Sequence, residues 1–404
     1  MKGRTTNLKL MKTKPRPGLL PLIVLAIIAG IGTGYVFPDW LARVFVTFNG
    51  IFSQFLGFTI PLLIVGFVAP AIADIGRRAG AMLLVTALIA YIMTVSTGLL
   101  AYWTASTTFP PLLASETMAS ALETANPAPL PYFNIEIPPL MSVMSSLVLA
   151  FVLGLGVAVT DSREGMTGAL KRVLQDFRGV IQMIIGRVII PLLPLYIFGI
   201  FMSMTIEGST WPILRTFAKI IVVIFILHVA VLILQYCIAS CFSGRNPFRC
   251  LWTMMPAYFT ALGTQSSAAT IPVTLERTVA MGVNRDIAGF VIPLCATIHM
   301  SGSTLKIVSC ALALMILHHM PYDLGMFYGF ISMLAITIIA APGIPGGAIM
   351  ASLGLLSSML GFSEADNALM IALYLSMDSF GTACNITGDG AIAQIVKRLF
   401  RQKN

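Results

Sequence analysis

The residues that could do chemistry in this chain are few, and they sit where polar groups are costly. Asp378 and Asp389 lie inside the apolar stretch 367–396, Lys306 and His299 inside the apolar stretch 288–317, and Ser266 and Ser267 in the middle of the apolar stretch 250–275. A charged side chain at the centre of a membrane helix costs about 2.5–3.5 kcal/mol on insertion scales, so an ionisable residue there is read as part of a ligand or ion pathway. Asp378 offers a carboxylate to a cation, and Asn385 offers an amide that can donate to an anion. His299 can accept a proton near neutral pH. Lys306 carries a compact ammonium whose charge must be satisfied inside protein. The six cysteines show no CxxC pairing and the four histidines no clustering, so neither a disulfide framework nor a zinc site is indicated.

Composition explains why these residues stand out. Of 404 residues 57% are hydrophobic and only 10% charged, with mean hydropathy +0.90. A soluble domain carries about 25% charged residues. A cytosolic enzyme, a disordered chain and a disulfide scaffold are excluded. The formal charge of +9 is explained by membrane topology, not by nucleic-acid binding.

Apolar runs long enough to cross a bilayer as helices cover 19–37, 51–73, 80–103, 138–160, 179–204 and 216–242. The basic N-terminal stretch before the first run resembles a signal peptide but lacks an A-x-A-like site, so the first run is read as an uncleaved span. Most of the 25 Lys and Arg residues fall on one side if the N-terminus is cytoplasmic, among them Arg77, Arg78, Lys171, Arg172, Arg245 and Arg249. The segment 104–137 carries Glu116, Glu123 and Glu136 and no Lys or Arg. The positive-inside rule therefore predicts cytoplasmic termini and an external loop at 104–137.

Beyond residue 243 the pattern changes. The stretch 250–275 is broken by Gly263-Thr264-Gln265-Ser266-Ser267 and ends at Glu276 and Arg277, which predicts a hairpin entering and leaving from the cytoplasm. The span 288–317 is interrupted by His299-Met300-Ser301-Gly302-Ser303. The stretch 324–360 is broken by Pro342-Gly343-Ile344-Pro345-Gly346-Gly347 without flanking Lys or Arg, which predicts a hairpin from outside. Span 367–396 then returns to a basic C-terminal end. Backbone broken at membrane depth is tolerated only inside protein or beside a cavity, and paired broken segments in opposite orientation point to a transporter's binding site.

At these residues the chain resembles the dicarboxylate/amino acid:cation symporter family, the glutamate transporter family. Ala257 to Thr274 (AYFTALGTQSSAATIPVT) is similar to its serine-rich first hairpin, and Pro293 to Ser303 (PLCATIHMSGS) to its stretch PLGATINMDGT. Gly343 to Met350 (GIPGGAIM) is similar to its second hairpin but one residue shorter, and Asp378 to Asp389 (DSFGTACNITGD) to its last-helix motif DxxRTxxNVxGD. The resemblance implies an all-α polytopic membrane protein of eight transmembrane helices plus two re-entrant hairpins, in inverted repeats. It implies a basic cytoplasmic N-terminus at 1–18, scaffold helices at 19–79 and 138–204, and a transport domain of helix 3 at 80–103 with 216–404. It further implies a homotrimer in the cell membrane, an elevator motion and an outer gate in the second hairpin.

For the site, the resemblance implies that Asp378 binds a substrate ammonium, Asn385 a carboxylate and Thr382 the side chain. Ser266, Ser267 and Gly346 are the substrate contacts expected at the two hairpin tips. Asp389, Asn385, Thr297 and His299 are candidate sodium positions, since a hard cation takes oxygen ligands. No cofactor is expected; the coupling ion is Na+ or H+. Three departures matter. The family's last-helix arginine is Gly381 here, the arginine of some first hairpins is Gln265, and Asn-Met-Asp is His299-Met300-Ser301. Lys306, at a position usually tyrosine, is expected to move the lost positive charge onto another helix, where it holds a substrate carboxylate or stands in for a sodium ion by pairing with Asp378; Tyr374 replaces a usual aspartate.

The reading is a cation-coupled secondary active symporter importing a small amino acid or carboxylate. The alternatives are a dicarboxylate:proton symporter, an uncoupled anion channel, and an intramembrane serine hydrolase using Ser301 or Ser303. The last is disfavoured because nothing in the sequence fixes a base near either serine. His228, His318 and His319 are assigned no role.

Overall fold

The computed structural model describes residues 19–75, 81–113, 129–160, 168–208, 210–339 and 346–400, and among these it contains helices and no strand. The basic N-terminal stretch, Arg77 and Arg78, Glu116 and Glu123, and most of the second hairpin's glycine-rich turn lie outside them. Helices α1 (Leu19–Gly34), α2 (Asp39–Ile75) and α3 (Ala81–Leu113) are followed by α4 (Val143–Thr160). Next come α5 (Ala169–Ile184), a π turn (Ile185–Ile189), α6 (Ile190–Glu207) and α7 (Thr210–Ser243). Helices α8 (Pro247–Thr264) and α9 (Ser267–Ala280) form one hairpin, followed by α10 (Arg285–Ile298) and α11 (Ser301–Leu317). Then α12 (Leu324–Ile339), α13 (Gly347–Leu360), α14 (Glu364–Ser376) and α15 (Asp378–Leu399) complete the described chain.

Among the described residues five helical stretches are long and apolar enough to cross a membrane, and a sixth if α14 and α15 count as one span bent by 63°. Helices α1 and α4 are shorter than the runs at 19–37 and 138–160. Pro38 follows the first, and Pro138 and Pro139 precede the second, where proline disfavours helix in the residue before it. Two other helices outrun their apolar stretches. Helix α2 begins at Asp39, before the run at 51, and α3 continues to Leu113 instead of ending near 103. In both cases polar residues inside the extension mask the helix from hydropathy, although Ala42 and Thr47 on one and Ala105 and Phe109 on the other are buried.

All four tryptophans, Trp40, Trp103, Trp211 and Trp252, are more than half exposed, as are Leu25, Ile28, Leu84, Leu88 and Ile226. Large apolar side chains bared over several helices suit a lipid environment, with tryptophan at the headgroup level. Helix α5 differs: Lys171, Arg172, Asp176 and Arg178 share it with buried Leu174 and Ile181, the pattern of an amphipathic entry to a span.

The helices pack in two groups. Helix α1 lies on α6, and α2 on α4 and α5. In the second group α15 is central, packed against α7, α8, α9, α10 and α11, while α11 also lies against α3. The stretch Arg285–Leu317 is 94% buried over its apolar window, against 33–50% for the other four. The least lipid-like span, with a histidine and a lysine in it, is therefore the one enclosed by protein. In the hairpins, α9 and α13 have 14 residues each. At 1.5 Å per residue each spans about 21 Å, short of a hydrocarbon core of about 30 Å.

Candidate functional site

Two breaks create the site. Helix α10 stops at Ile298, His299 is extended (φ −97°, ψ 108°), and Met300 (φ −125°, ψ 38°) leads into α11. Helix α14 ends at Ser376, and α15 restarts at Asp378 after Met377. The freed backbone groups at these breaks are satisfied by side chains from neighbouring helices, as membrane depth requires.

At the α14–α15 break Asp378 is 5% exposed and Lys306 fully buried. Lys306 Nζ donates to Asp378 Oδ1 at 3.1 Å and to the Met377 carbonyl at 3.3 Å. It also lies 3.6 Å from the centroid of the Tyr374 ring, a cation–π contact strengthened by desolvation. Its amine therefore stays inside and does not reach for an interface. The other carboxylate oxygen, Asp378 Oδ2, accepts the backbone N–H of Gly346 at 2.8 Å. Gly346 adopts φ +78° at the start of α13, a left-handed conformation that glycine takes without strain. The end of the second hairpin is thus fastened to the same carboxylate as Lys306.

From there a chain of hydrogen bonds runs to the α10–α11 break. Tyr374 donates its hydroxyl to Ser303 Oγ at 2.9 Å, and Asn385 Nδ2 donates to the same oxygen at 3.1 Å. Asn385 Oδ1 accepts from the Gly302 N–H at 2.7 Å, and the Asn385 carbonyl faces His299 Nδ1 at 3.3 Å. His299 Nδ1 lies 2.9 Å from Asp389 Oδ1, with both side chains fully buried. A carboxylate only accepts, so Nδ1 carries the proton and Nε2 can accept. Ser301 Oγ sits 2.6 Å from Nε2 and accepts from Gln235 Nε2 at 3.1 Å. The second oxygen of the aspartate, Asp389 Oδ2, is buried without a partner. A buried anionic oxygen left unpaired is strongly unfavourable, and a hard cation is the partner that suits it.

The expected site residues divide accordingly. Asp378, Lys306, Gly346 and Asn385 belong to one connected network, and His299 and Asp389 join it through Asn385. Thr382 is buried one helical turn beyond Asp378 on α15. Ser266 uses its hydroxyl to cap α9 by accepting from Ala269 N at 3.3 Å, and Ser267 is buried behind it. Gln265, at φ +53°, makes the turn between α8 and α9. Thr297 is exposed and donates its hydroxyl to the Leu294 carbonyl at 2.7 Å. Gln235 and Ser303, each bonded within the network, were not singled out as ligands by sequence. His228 was assigned no role, yet its Nδ1 faces the Ile224 carbonyl at 2.9 Å and its Nε2 the Gly302 carbonyl at 3.3 Å. A neutral ring donates to only one of these carbonyls, and the residue packs α7 against the break in the neighbouring span.

One expectation is corrected. A base is fixed beside Ser301: the order Ser301–His299–Asp389 is that of a hydrolytic triad. All three side chains are fully buried, so no acyl substrate could meet the hydroxyl, and the three act as a hydrogen-bond chain between α7, α11 and α15.

Comparison with known proteins decides between the classes. The model of the sodium:dicarboxylate symporter family matches residues 19–399. The chain belongs to that family. It is a multi-pass membrane transporter and not an enzyme. Among the relatives of this symporter is a serine/threonine transporter SstT from Acinetobacter baumannii (strain AYE), 27% identical over 96% of this chain and 98% of the relative. Another is the protein of the same name from Enterococcus faecalis, 25% identical over 98% of this chain and 95% of its own. The excitatory amino acid transporter 3 of Oryctolagus cuniculus is 29% identical over 65% of this chain and 50% of its own length.

Proposed function

We propose that this symporter carries a small neutral amino acid into the cell, with sodium as the coupling ion. The observation that carries the reading is the contact of Gly346 N–H with Asp378 Oδ2, which joins a hairpin end to a buried carboxylate suited to a substrate ammonium. Asn385, Ser266 and Ser267 receive the substrate carboxylate, Thr382 faces its side chain, and the Gly346 hairpin is the gate.

Charge favours a zwitterion. Lys306 and Asp378 cancel each other, and an amino acid that adds one ammonium and one carboxylate leaves the site neutral. A dicarboxylate would add two negative charges. Among the described residues Lys306 is the only buried lysine or arginine, and its donors are already directed at Asp378, Met377 and Tyr374. The similarity to serine/threonine transporters over nearly the whole chain supports the same substrate class.

Sodium binds at Asp389, whose Oδ2 has no protein partner, with Asn385 as a further candidate position; His299 holds Oδ1 and Ser301 through its two ring nitrogens and the Thr297 hydroxyl bonds the Leu294 carbonyl, so neither side chain is free to supply a ligand. Because Asn385 joins this carboxylate to the Asp378 network, sodium at one end favours the ordered arrangement needed at the other. A second reading replaces sodium with a proton, and the His299–Asp389 contact favours it.

The α1, α2, α4, α5 and α6 group serves as scaffold in a trimer, and the group around α15 moves as an elevator. Eight crossings, two re-entrant hairpins and cytoplasmic termini fit the short α9 and α13 and the distribution of basic residues.

The test is a panel of labelled serine, threonine, alanine, aspartate and succinate offered to proteoliposomes under an inward sodium gradient or an inward proton gradient. Serine-sized substrates driven by sodium are expected. Preference for aspartate or succinate overturns the substrate assignment, and uptake driven by protons without sodium moves the coupling to the second reading.

A further inference from the structure

A second polar site lies where α7 ends, α9 turns into α10 and α15 finishes. A cavity of about 380 Å³ opens there, lined by Arg245, Lys397 and Arg398 together with Ser243, Gly282 and Gln394. Arg245 follows α7, and the other two cations stand in the last turn of α15. Among the described residues that line it there is no aspartate or glutamate.

Basic residues in the last turn of a helix suit its dipole, but a helix end alone would let them spread into water. Here two of the three cations converge on one residue instead. Lys397 Nζ donates to the Gly282 carbonyl at 2.6 Å. The Arg245 guanidinium rests against the same glycine, where an added β-carbon would lie 2.6 Å from Cζ. Gly282 adopts φ +85°, so the left-handed turn and the approach of the guanidinium both require glycine there. Two cations held at one residue repel each other, and an anion placed between them relieves the repulsion.

The lining narrows the kind of anion. An arginine fork matches the paired oxygens of a phosphate, and a lysine adds a point charge. Arg245 and Arg398 are exposed at the cavity and form no ion pair among the described residues. The volume is that of a small-ligand pocket. Phe242, also in the lining, is 42% exposed and offers an apolar contact beside the charges. Basic pockets between membrane helices suit lipid headgroups.

We propose that this cavity binds a phosphate-bearing anion, held by Arg245, Lys397 and Arg398, which fastens the base of the α8–α9 hairpin to the end of α15. A phospholipid headgroup and a soluble phosphate present the same oxygens to these cations. The proposal does not depend on which amino acid the symporter carries.

The experiment uses the full-length protein, stripped of lipid, in a neutral detergent without phosphate buffer. Native mass spectrometry compares bound phosphatidylglycerol with phosphatidylcholine offered in equal amounts, and titration calorimetry follows inorganic phosphate. Saturable phosphatidylglycerol binding, with phosphatidylcholine at least about tenfold weaker, assigns the site to a lipid headgroup. Saturable phosphate binding without that lipid preference assigns it to a soluble anion. Either should weaken at least about tenfold in the Arg245→Gln, Arg398→Gln double variant, and keep its affinity in Arg172→Gln, a substitution on α5 outside the cavity. No lipid preference together with no saturable phosphate binding overturns the proposal, and that result needs no variant. Equal weakening in Arg172→Gln, or unchanged affinity in the folded double variant, also overturns it, because the anion would then be held by charge elsewhere on the surface.

Discussion

The side chain of Lys306 occupies the space that any side chain at Gly381 would need. A β-carbon added to Gly381 would lie 2.5 Å from Lys306 Cε and 2.6 Å from Nζ. One position is therefore bare because the other is long and charged, and the positive charge at the site comes from α11 instead of α15. Adding a methyl group at Gly381 must displace the lysine from Asp378. Overpacking of this kind costs about 1–3 kcal/mol, so Gly381→Ala should lower the thermal midpoint and transport together. Gly381→Ala combined with Lys306→Ala should lose less than the two single variants added, by a coupling of about 0.5–3 kcal/mol. Thermal unfolding in detergent checks this; strict additivity would mean that the two side chains do not share the space.

Asn385 is the joint between the two buried aspartates. It holds Gly302 N–H and Ser303 through its amide and faces His299 through its carbonyl. Asn385→Ala strands the buried Gly302 N–H, at about 1–3 kcal/mol, while Ser303 Oγ keeps its bond from Tyr374. Serine affinity measured with and without sodium should weaken at least tenfold, and the two affinities should converge. A variant that binds serine more weakly but keeps the full sodium effect would show that the two ends communicate by another route.

Asp389→Asn keeps the shape of the side chain while removing its charge and leaving only one acceptor oxygen. Sodium stimulation of serine binding should disappear. Titrating sodium against the folded variant checks this, and wild-type stimulation there would move the ion elsewhere.

At the hairpin end, Gly346→Ala forces a side chain into a left-handed conformation, where a β-carbon would also meet Leu375 Cδ2 at 2.8 Å. The backbone penalty is about 1–2 kcal/mol, enough to weaken serine affinity roughly 5–30-fold if hairpin closure is part of binding. An unchanged dissociation constant would separate the hairpin from the substrate.

Much of this arrangement is legible in the sequence, and the parts that are not have identifiable physical causes. The all-helical class follows from long apolar runs, and the break at His299–Ser303 follows from small and polar residues at membrane depth, whereas the run 367–396 reads as one span and the structure bends it by 63° at Met377. The family follows from motifs at Asp378–Asp389 and Pro293–Ser303. Helix ends are less legible: α2 starts at Asp39 and α3 ends at Leu113 because packing, not hydropathy, sets their length. The bond between Ser301 and His299 is illegible for a different reason. Residues two apart on a helix do not face each other, and only the extended backbone at His299 brings Nε2 to Ser301. Gln235 is a lone amide in an apolar run, and no spacing within α7 marks it as a partner for a serine on α11.

The most direct measurement is the accumulation ratio of labelled serine in proteoliposomes containing the purified protein, with an inward sodium gradient as the sole driving force. A ratio of inside to outside concentration well above one is expected, falling to one when a sodium ionophore collapses the gradient. A ratio that remains at one while the gradient persists would contradict sodium-coupled symport of a small neutral amino acid.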